Sequence, residues 1–283
     1  MQNYKDLIQN ILDNGIDRND RTGIGSRFIN GSTLKWDLSK GFPILTTRRI
    51  ALRIAFEETM FFLRGETDTK ILEEKKINIW KGNTTREFLD NRGLQHLPEG
   101  SIGTGYSHSW RNFGGDLGVN NGIDQIKDLL TGLKNDPNGR RHIVTAWNPQ
   151  QNNGTPLPPC HIMHMYSVFN NNLNSCWIQR SVDSVFGLPY NILSYSFLNH
   201  VFAKHLGLTP GEVTFFGWDV HIYQNQMDMV KEQLIREPRI LPFINIKKEL
   251  PTFDDILSLE WEDVELIGYN PYPDIKDKPR MAI

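Results

Sequence analysis

The sequence has few cysteines, no basic excess and no long apolar run. Cys160 and Cys176 are the two cysteines among 283 residues. No signal-peptide pattern precedes them, so we expect both thiols to be reduced and the protein to be cytoplasmic. The absence of an 18-residue apolar run predicts no membrane span. The formal net charge of -2 gives little electrostatic support to general nucleic-acid binding, so no nucleic-acid partner is expected.

Phosphate-binding glycine motifs, metal-ligand spacings and internal repeats are also missing. The chain contains no P-loop and no G-x-G-x-x-G segment, and its two cysteines match no zinc motif, so we expect no metal. Hydrophobic residues still make up 39% of the chain, which is enough for an ordinary globular core. Because no low-complexity tract or linker interrupts the sequence, residues 1–283 are predicted to form a single domain.

Apolar residues at helical spacing predict several helices. A helix is expected over residues 4–14, and the nearly all-apolar run 189–206 predicts a buried central helix. Another helix is expected to end at Leu63, before Gly65. Either Thr46 or Thr47 is expected to cap the start of that helix, because a threonine hydroxyl can accept from the first free backbone N–H groups.

Runs rich in β-branched and aromatic residues predict short strands. Residues 162–169 and 173–180 flank the turn Asn170-Asn171-Asn172 and are expected to form a hairpin. Further strands are predicted over residues 142–147, 213–216, 220–223, 243–246 and 264–267. This mixture of strands and helices indicates the α+β fold class.

Cys160 follows two prolines in the segment Leu157-Pro158-Pro159-Cys160-His161. The prolines restrict the backbone immediately before the thiol, so the side chain is aimed in one direction. A cysteine placed in this way beside a histidine is a candidate nucleophile. A free cysteine also commonly serves as a small buried hydrophobic residue, so the pattern alone supports both interpretations.

Arginines lie in three segments that suit an anionic ligand. Arg21 lies in a glycine-rich loop, and Arg180 ends a predicted strand. The pair Arg140-Arg141 precedes another predicted strand. A guanidinium pairs well with phosphate oxygens, and one near Cys160 is expected to lower the thiol pKa. The alternative is that these arginines lie in solvated turns and pair with carboxylates.

Several polar side chains are candidates for proton transfer or ligand recognition. Glu58 lies on a predicted helix among apolar residues and can act as a general acid or base if it is buried; otherwise it is an ordinary solvent charge. Asn191 offers a donor and an acceptor to a cyclic imide, and its alternative role is a helix N-cap. His221 and Tyr223 alternate on a strand, so they share a face. They are candidates to bind a sugar hydroxyl, or they form a core pair.

Ordered motifs along nearly the whole chain resemble those of the thymidylate synthase family. They are Asp20-Arg21-Thr22-Gly23, Trp36-Asp37-Leu38-Ser39-Lys40-Gly41-Phe42-Pro43, Arg140-Arg141, Ala146-Trp147-Asn148-Pro149, Leu157-Pro158-Pro159-Cys160-His161, Gln179-Arg180-Ser181, Gly187-Leu188-Pro189-Tyr190-Asn191-Ile192, Asp219-Val220-His221-Ile222-Tyr223 and Met281-Ala282-Ile283. A chance match of so many motifs in one order is not credible.

The resemblance implies methyl transfer to C5 of dUMP through a covalent adduct. Cys160 would add to C6 of the uracil ring, because C5 is a poor nucleophile until a thiolate adds beside it. The implied catalytic residues are Cys160, Glu58, Tyr106, Arg180, Asn191 and Asp183. The implied dUMP-binding residues are Arg21, Gln179, Arg180, Ser181, His221 and Tyr223, with Arg140 and Arg141 reaching across a dimer interface.

The resemblance also implies a folate co-substrate, 5,10-methylenetetrahydrofolate, and products dTMP and dihydrofolate. The implied folate-binding residues are Arg48, which would meet the glutamate tail, and Trp80, Asp183, Phe186, Gly187 and Ala282. The C-terminal residues would close over both ligands. The implied fold is a three-layer α+β arrangement in which residues 1–283 form one catalytic domain. Its large mixed sheet would lie at the interface of a homodimer.

The sequence departs from the family's pattern at several positions. Tyr106-Ser107-His108-Ser109-Trp110-Arg111 stands where the family usually has Tyr-Gly-x-Gln-Trp-Arg. Phe186 replaces an aliphatic residue, and Trp218 replaces a glycine. Changes near the folate leave an alternative, a dUMP hydroxymethylase giving 5-hydroxymethyl-dUMP. A third hypothesis is a non-catalytic nucleotide- or RNA-binding relative, against which Cys160 and Asn191 argue.

Overall fold

A computed structural model describes residues 1–275 and residue 279. The helices are α1 (Gln2–Asn14), α2 (Leu52–Leu63), α3 (Lys70–Glu74), α4 (Arg86–Asn91), α5 (Tyr106–Arg111), α6 (Gln125–Asn135), α7 (Gly187–Leu206), α8 (Met227–Leu234) and α9 (Phe253–Leu257). No helix in this described part of the chain has both the length and the apolar character needed to cross a membrane.

The strands form a six-stranded mixed sheet and a separate two-stranded sheet. They are β1 (Ile16–Arg18), β2 (Ser26–Asp37), β3 (Ile143–Thr145), β4 (His161–Phe169), β5 (Asn172–Asp183), β6 (Thr209–Tyr223), β7 (Phe243–Ile246) and β8 (Val264–Ile267). The order in the large sheet is β1-β2-β6-β5-β4-β3, in which only β5 and β6 pair in parallel. This mixed arrangement with helices confirms the predicted α+β class.

Helix α7 packs against β5 and β6, and α2 packs against α7 on the far side from the sheet. The helix is buried because its sequence is apolar on nearly every side. It ends at Gly207, whose φ of 68° is the left-handed conformation that glycine adopts without a steric penalty. Below it, Trp177 stacks between Tyr195 and Trp36, with ring centroids 4.9 and 6.1 Å away.

The opposite face of the large sheet carries apolar side chains in contact with solvent. Phe216 and Trp218 on β6 are 41% and 64% exposed, and Phe169 on β4 is 70% exposed. A concavity of about 530 Å³ on this face is lined by Phe216, Cys176 and Arg140 among others. This exposed apolar surface could not be predicted from periodicity. The alternation of side chains along a strand separates the two faces of the sheet but does not show which face packs against helices and which contacts solvent.

Strand register brings the predicted site residues together. The parallel pairing of β5 with β6 sets Ser181 opposite Asp219 and Asp183 opposite His221. The antiparallel pairing of β4 with β5 sets His161 opposite Gln179, which places the residue before His161 next to Arg180. The ends of three neighbouring strands therefore meet at one edge of the sheet.

The predicted hairpin is confirmed. Asn170 and Asn171 have φ values of 49° and 62°, the left-handed pair that matches the twist of two antiparallel strands. Residues 213–216 and 220–223, predicted as two strands, belong to the single long strand β6. The mistake came from the segment Gly217-Trp218, which does not interrupt the strand, because Gly217 pairs with Ser32 of β2 and with Gln179 of β5.

The predicted threonine cap of α2 is wrong. The helix begins at Leu52 after Ala51, and neither Thr46 nor Thr47 reaches it. Thr46 instead accepts hydrogen bonds from the backbone N–H groups of Arg239 and Tyr272, at 2.8 and 2.7 Å. Contacts with the C-terminal part of the chain therefore hold this segment extended, and local propensity does not decide it.

Candidate active site

Cys160 lies directly before β4 and its backbone is held on both sides. Its N–H donates to the hydroxyl of Tyr106 at 2.7 Å, and its carbonyl accepts from the N–H of Arg180 at 2.8 Å. The Arg180 side chain also donates to the carbonyls of Pro159 and Pro158, at 2.9 and 2.8 Å. These hydrogen bonds fix the backbone that carries the thiol, in agreement with the restriction predicted from the two prolines. Both cysteines are free.

Two of the predicted arginines approach the thiol. Nη2 of Arg180 lies 3.9 Å from Sγ of Cys160. Burial raises the pKa of the Cys160 thiol, and the positive charges of Arg180 and Arg21 oppose that rise. The guanidinium groups thus act in the expected direction, but desolvation of the thiolate outweighs both of them and the net shift of the pKa is upward. The arginines nevertheless mark the place where an anion and a thiolate are both favoured.

Glu58 is a partly buried carboxyl on α2 rather than a solvent charge. It accepts a hydrogen bond of 2.8 Å from the indole Nε1 of Trp80. Burial raises the pKa of Glu58 to about 7, and the Trp80 hydrogen bond works against that rise. A carboxyl with this pKa exchanges protons readily near neutral pH, as a general acid or base must.

We predict that Glu58→Gln removes a pH-dependent loss of stability. Between pH 4.5 and about 7 the folded carboxyl keeps its proton while the unfolded one loses it, so stability falls as pH rises. The contribution of Glu58 to the free energy of unfolding, taken as wild type minus Glu58→Gln, should drop by about 3 kcal/mol across this window, while buried neutral histidines such as His161 act in the opposite direction in both proteins. Urea unfolding at pH 4.5 and pH 8 measures the drop.

The matched control is Glu73→Gln, which changes a partly exposed carboxylate paired with Lys81 at 2.9 Å. It should keep the full pH dependence of the wild type. The same pH dependence of stability in Glu58→Gln as in the wild type would show that the Glu58 carboxyl titrates alike in the folded and unfolded chains.

Tyr106 belongs to a buried aromatic group behind the thiol. Its ring stacks on His161, with centroids 4.1 Å apart, and on Phe62, at 4.9 Å. Nδ1 of His161 lies 2.7 Å from the hydroxyl of Tyr195. Burial raises the pKa of Tyr106 well above its usual value and lowers that of His161 to about 3. Both groups are therefore neutral near pH 7.

The candidate residues for recognising the nucleotide lie on α7 and β6. Asn191 lies within α7, one turn before Tyr195, so its alternative role as an N-cap is wrong. His221 and Tyr223 share a face of β6, with ring centroids 5.0 Å apart. His221 is buried and Tyr223 is half-buried. The predicted common face is confirmed.

Asp183 and Gly187 form a turn that leads into α7. The Asp183 carboxylate accepts from the backbone N–H groups of Val185 and Phe186, at 2.9 and 3.0 Å. A Cβ atom added at Gly187 would meet nothing closer than the Cβ of Asp183, at 3.5 Å. Gly187 therefore leaves open space beside a carboxylate and the half-buried ring of Phe186.

Three other predicted positions, Arg140, Arg141 and Gln179, make no contact with the Cys160 thiol. Arg140 and Arg141 are exposed, and their side chains make no ion pair or hydrogen bond with any residue that the structure describes. Gln179 is buried, with its side chain bonded to Trp177 and to the Ser181 carbonyl. Ala282 lies outside the described residues.

Arg48 is buried and is 2% exposed. Its guanidinium donates to Oε1 of Gln233 and to the carbonyl of Val185. A contact with a glutamate tail in solvent would require these bonds to break, so we leave Arg48 out of the folate site proposed below.

Three contacts were not anticipated from the sequence. The Arg180 guanidinium lies 5.4 Å from the ring centroid of Trp147, and Asp219 contacts both Arg18 and His221. The contact between Asp219 and His221 could have been predicted, because residues two apart on a strand lie on the same face. The contacts of Trp147 and Arg18 join distant segments and leave no local signal.

The positions that depart from the family's pattern lie in different environments. Ser107 and Ser109 are fully buried in α5, and the hydroxyl of Ser109 donates to the carbonyl of Thr104. Trp218 lies on the exposed sheet face, away from Cys160. Phe186 is the departure that adjoins the Asp183 turn.

The α+β fold places a cysteine thiol beside two arginines, an arrangement that suits an enzyme acting on an anionic substrate through a covalent adduct. The family model described as thymidylate synthase matches residues 2–281, and the chain belongs to the thymidylate synthase family. This confirms the resemblance and the enzyme class, a methyltransferase.

Named relatives are similar over nearly the whole chain. Thymidylate synthase 1/2 of Encephalitozoon cuniculi (strain GB-M1) is 39% identical over 280 residues, which cover 96% of this chain and 95% of that protein. The bifunctional dihydrofolate reductase-thymidylate synthase of Paramecium tetraurelia is 41% identical over 286 residues, covering 99% of this chain. The bifunctional protein of Zea mays is 38% identical over the same share. The chain spans 61% and 54% of these two bifunctional proteins.

Proposed function

We propose that this enzyme methylates C5 of dUMP with the one-carbon unit of 5,10-methylenetetrahydrofolate, giving dTMP and dihydrofolate. The observation that carries the proposal is the 3.9 Å approach of the Arg180 guanidinium to Sγ of Cys160. It places a nucleophile and an anion-binding group in one site. The names of the relatives agree with this activity, and no finding favours the hydroxymethylase.

Arg21, Arg180 and Ser181 hold the dUMP phosphate in this proposal. A guanidinium pairs with two phosphate oxygens at once, and the same Arg180 also stabilises the thiolate of Cys160. Sγ then adds to C6 of uracil, and the electron pair of the C5–C6 double bond moves toward O4. Binding of the nucleotide thus aligns the reacting carbon with the sulfur.

Asn191 and Glu58 act at the edge of the base. The Asn191 amide donates to O4 and accepts from N3–H, a pattern that fits uracil and not cytosine. Glu58, with a pKa of about 7, supplies or removes a proton at O4 through ordered water. Tyr106 keeps its proton at neutral pH. It therefore orients the water that takes the C5 proton and does not itself act as a base.

The residues around Gly187 fit a folate. The Asp183 carboxylate accepts hydrogen bonds, as an amino-pyrimidinone ring requires, while Phe186 and Trp80 offer aromatic faces and Gly187 leaves room for a flat ring. When bound, the folate supplies the carbon and the hydride. The chain's own part is to hold that ring beside the base and to exclude water.

We also propose a cytoplasmic homodimer with two shared sites. The apolar face that carries Phe216 and Trp218 is suited to burial against a second copy. Arg140 and Arg141 are unpaired within the described part of the chain, which leaves them available to the phosphate held by the partner subunit. A monomer in sedimentation equilibrium at micromolar concentration would contradict this arrangement.

Product analysis tests the proposed activity. The protein is incubated with dUMP and 5,10-methylenetetrahydrofolate, the nucleotide is weighed by mass spectrometry, and dihydrofolate is measured by absorbance. We expect a methyl product with one dihydrofolate per dTMP, and no product from dCMP in a parallel reaction. A hydroxymethyl product without dihydrofolate would establish the hydroxymethylase. Turnover of dCMP would contradict the role of Asn191.

A further inference from the structure

The contacts of His221 define which of its two ring nitrogens carries a proton. Nδ1 of His221 lies 2.8 Å from Oδ1 of Asp219, its neighbour but one on β6. Nη2 of Arg18 lies 2.6 Å from the same carboxylate. The Arg18 guanidinium also covers the ring of Phe28, at 3.8 Å from its centroid, and Phe28 pairs with His221 between β2 and β6. Arg18 on β1 therefore contacts Asp219 and, through it, His221 on β6, and Phe28 of the intervening strand β2 lies beneath the Arg18 guanidinium.

An ionised carboxylate only accepts hydrogen bonds. The Arg18 guanidinium keeps Asp219 in this form, and contacts with His221 and Arg18 lower the pKa of Asp219 although burial opposes them. Nδ1 of His221 must therefore carry the hydrogen. A neutral imidazole has one N–H, so Nε2 is left as an acceptor. Nε2 makes no hydrogen bond with the residues that the structure describes.

We propose that Asp219, held by Arg18, is a positioning residue that makes His221 an obligate acceptor and so selects nucleotides with a free 3′-hydroxyl. This inference rests on the proposed function, in which His221 faces the sugar of dUMP. A 3′-hydroxyl donates to Nε2, whereas a 3′-deoxy sugar leaves it unpaired and a 3′-phosphate offers it no donor at neutral pH. Sites built to bond a substrate hydroxyl discriminate strongly against analogues that lack it.

Nucleotide binding without folate tests the inference. Calorimetry compares dUMP with 2′,3′-dideoxyuridine 5′-monophosphate for the wild type and for Asp219→Ala. The wild type should bind dUMP at least about tenfold more tightly, and the variant should reduce this preference to within about threefold while its affinity for the dideoxy nucleotide hardly changes. A general structural defect would weaken both nucleotides alike, and that result would overturn the proposal.

The matched control is Asp17→Ala, which breaks another Arg–Asp pair, that of Asp17 on β1 with Arg27 on β2, at 2.7 Å. It should keep the full preference for dUMP. Arg18→Met keeps an apolar stem over Phe28 and removes the bond to Asp219, so it should lose part of the preference. It also serves if Asp219→Ala does not fold.

Nitrogen-15 NMR of the His221 ring in the nucleotide-free protein reads the tautomer directly. We expect the Nδ1–H form in the wild type and a population of the Nε2–H form in Asp219→Ala. A wild-type ring in the Nε2–H form would overturn the proposal whatever the protein catalyses. The wild type could instead show the expected tautomer and the expected preference for dUMP but form no dTMP. That result would contradict the proposed function and leave this inference intact.

Discussion

Replacement of Cys160 by serine lowers kcat for dUMP by at least about 10³-fold, while dUMP binding stays within about threefold of the wild type. The reason is chemical, since a serine hydroxyl is far less nucleophilic than a thiolate although it has nearly the same shape. The backbone bonds to Tyr106 and Arg180 do not involve the sulfur, so the geometry of the site survives. Single-turnover kinetics and calorimetry with dUMP measure the two effects separately.

The chain provides its own control for this experiment in the second cysteine. Cys176 lies on β5, lines the concavity on the exposed sheet face and is not near Arg180. Cys176→Ser should retain turnover close to that of the wild type. If Cys160→Ser kept full activity, the sulfur would not form the adduct and the proposed mechanism would be wrong.

Arg180→Ala should lower kcat/KM for dUMP by about 10²-fold or more, because one side chain serves two functions. Loss of the guanidinium removes the proposed phosphate contact and the larger of the two electrostatic effects that oppose the raised pKa of Cys160. The thiol should therefore react more slowly with iodoacetamide at pH 8, even without nucleotide. Alkylation rates and dUMP affinity, measured on the same preparation, follow the two functions independently.

Arg64→Ala is the matched control for a purely structural loss. Arg64 donates to two backbone carbonyls, Leu257 and Leu259, much as Arg180 donates to Pro159 and Pro158. Both variants lose two such bonds, but only Arg180→Ala should change alkylation and nucleotide binding. A mild rise in KM with an unchanged alkylation rate would contradict the double role of Arg180.

Residues that act through local chemistry were predictable. The two prolines before Cys160 restrict the backbone wherever the segment lies, and the paired asparagines Asn170-Asn171 favour a tight hairpin turn on their own. The apolar run of α7 requires burial in any fold. These features depend on neighbouring residues alone, so they follow from the sequence.

Residues whose environment depends on distant segments were not predictable in the same way. Glu58 reads as an ordinary helix charge until α2 is packed and Trp80 is placed against it. Desolvation similarly decides the direction of the Cys160 pKa shift, although the nearby arginines alone suggest the opposite. Burial results from the whole fold, and no short pattern records it.

Local patterns and ordered motifs were enough to indicate the α+β class, the backbone restriction before Cys160 and the family. Only the packed chain shows that Arg180 lies beside the sulfur, that Glu58 has a pKa near neutrality, and that Nδ1 of His221 faces the Asp219 carboxylate. The physical reason is that sequence specifies the chemical groups and their local geometry. Their protonation and mutual distances depend on solvent exclusion and strand register, which arise only when remote segments pack together.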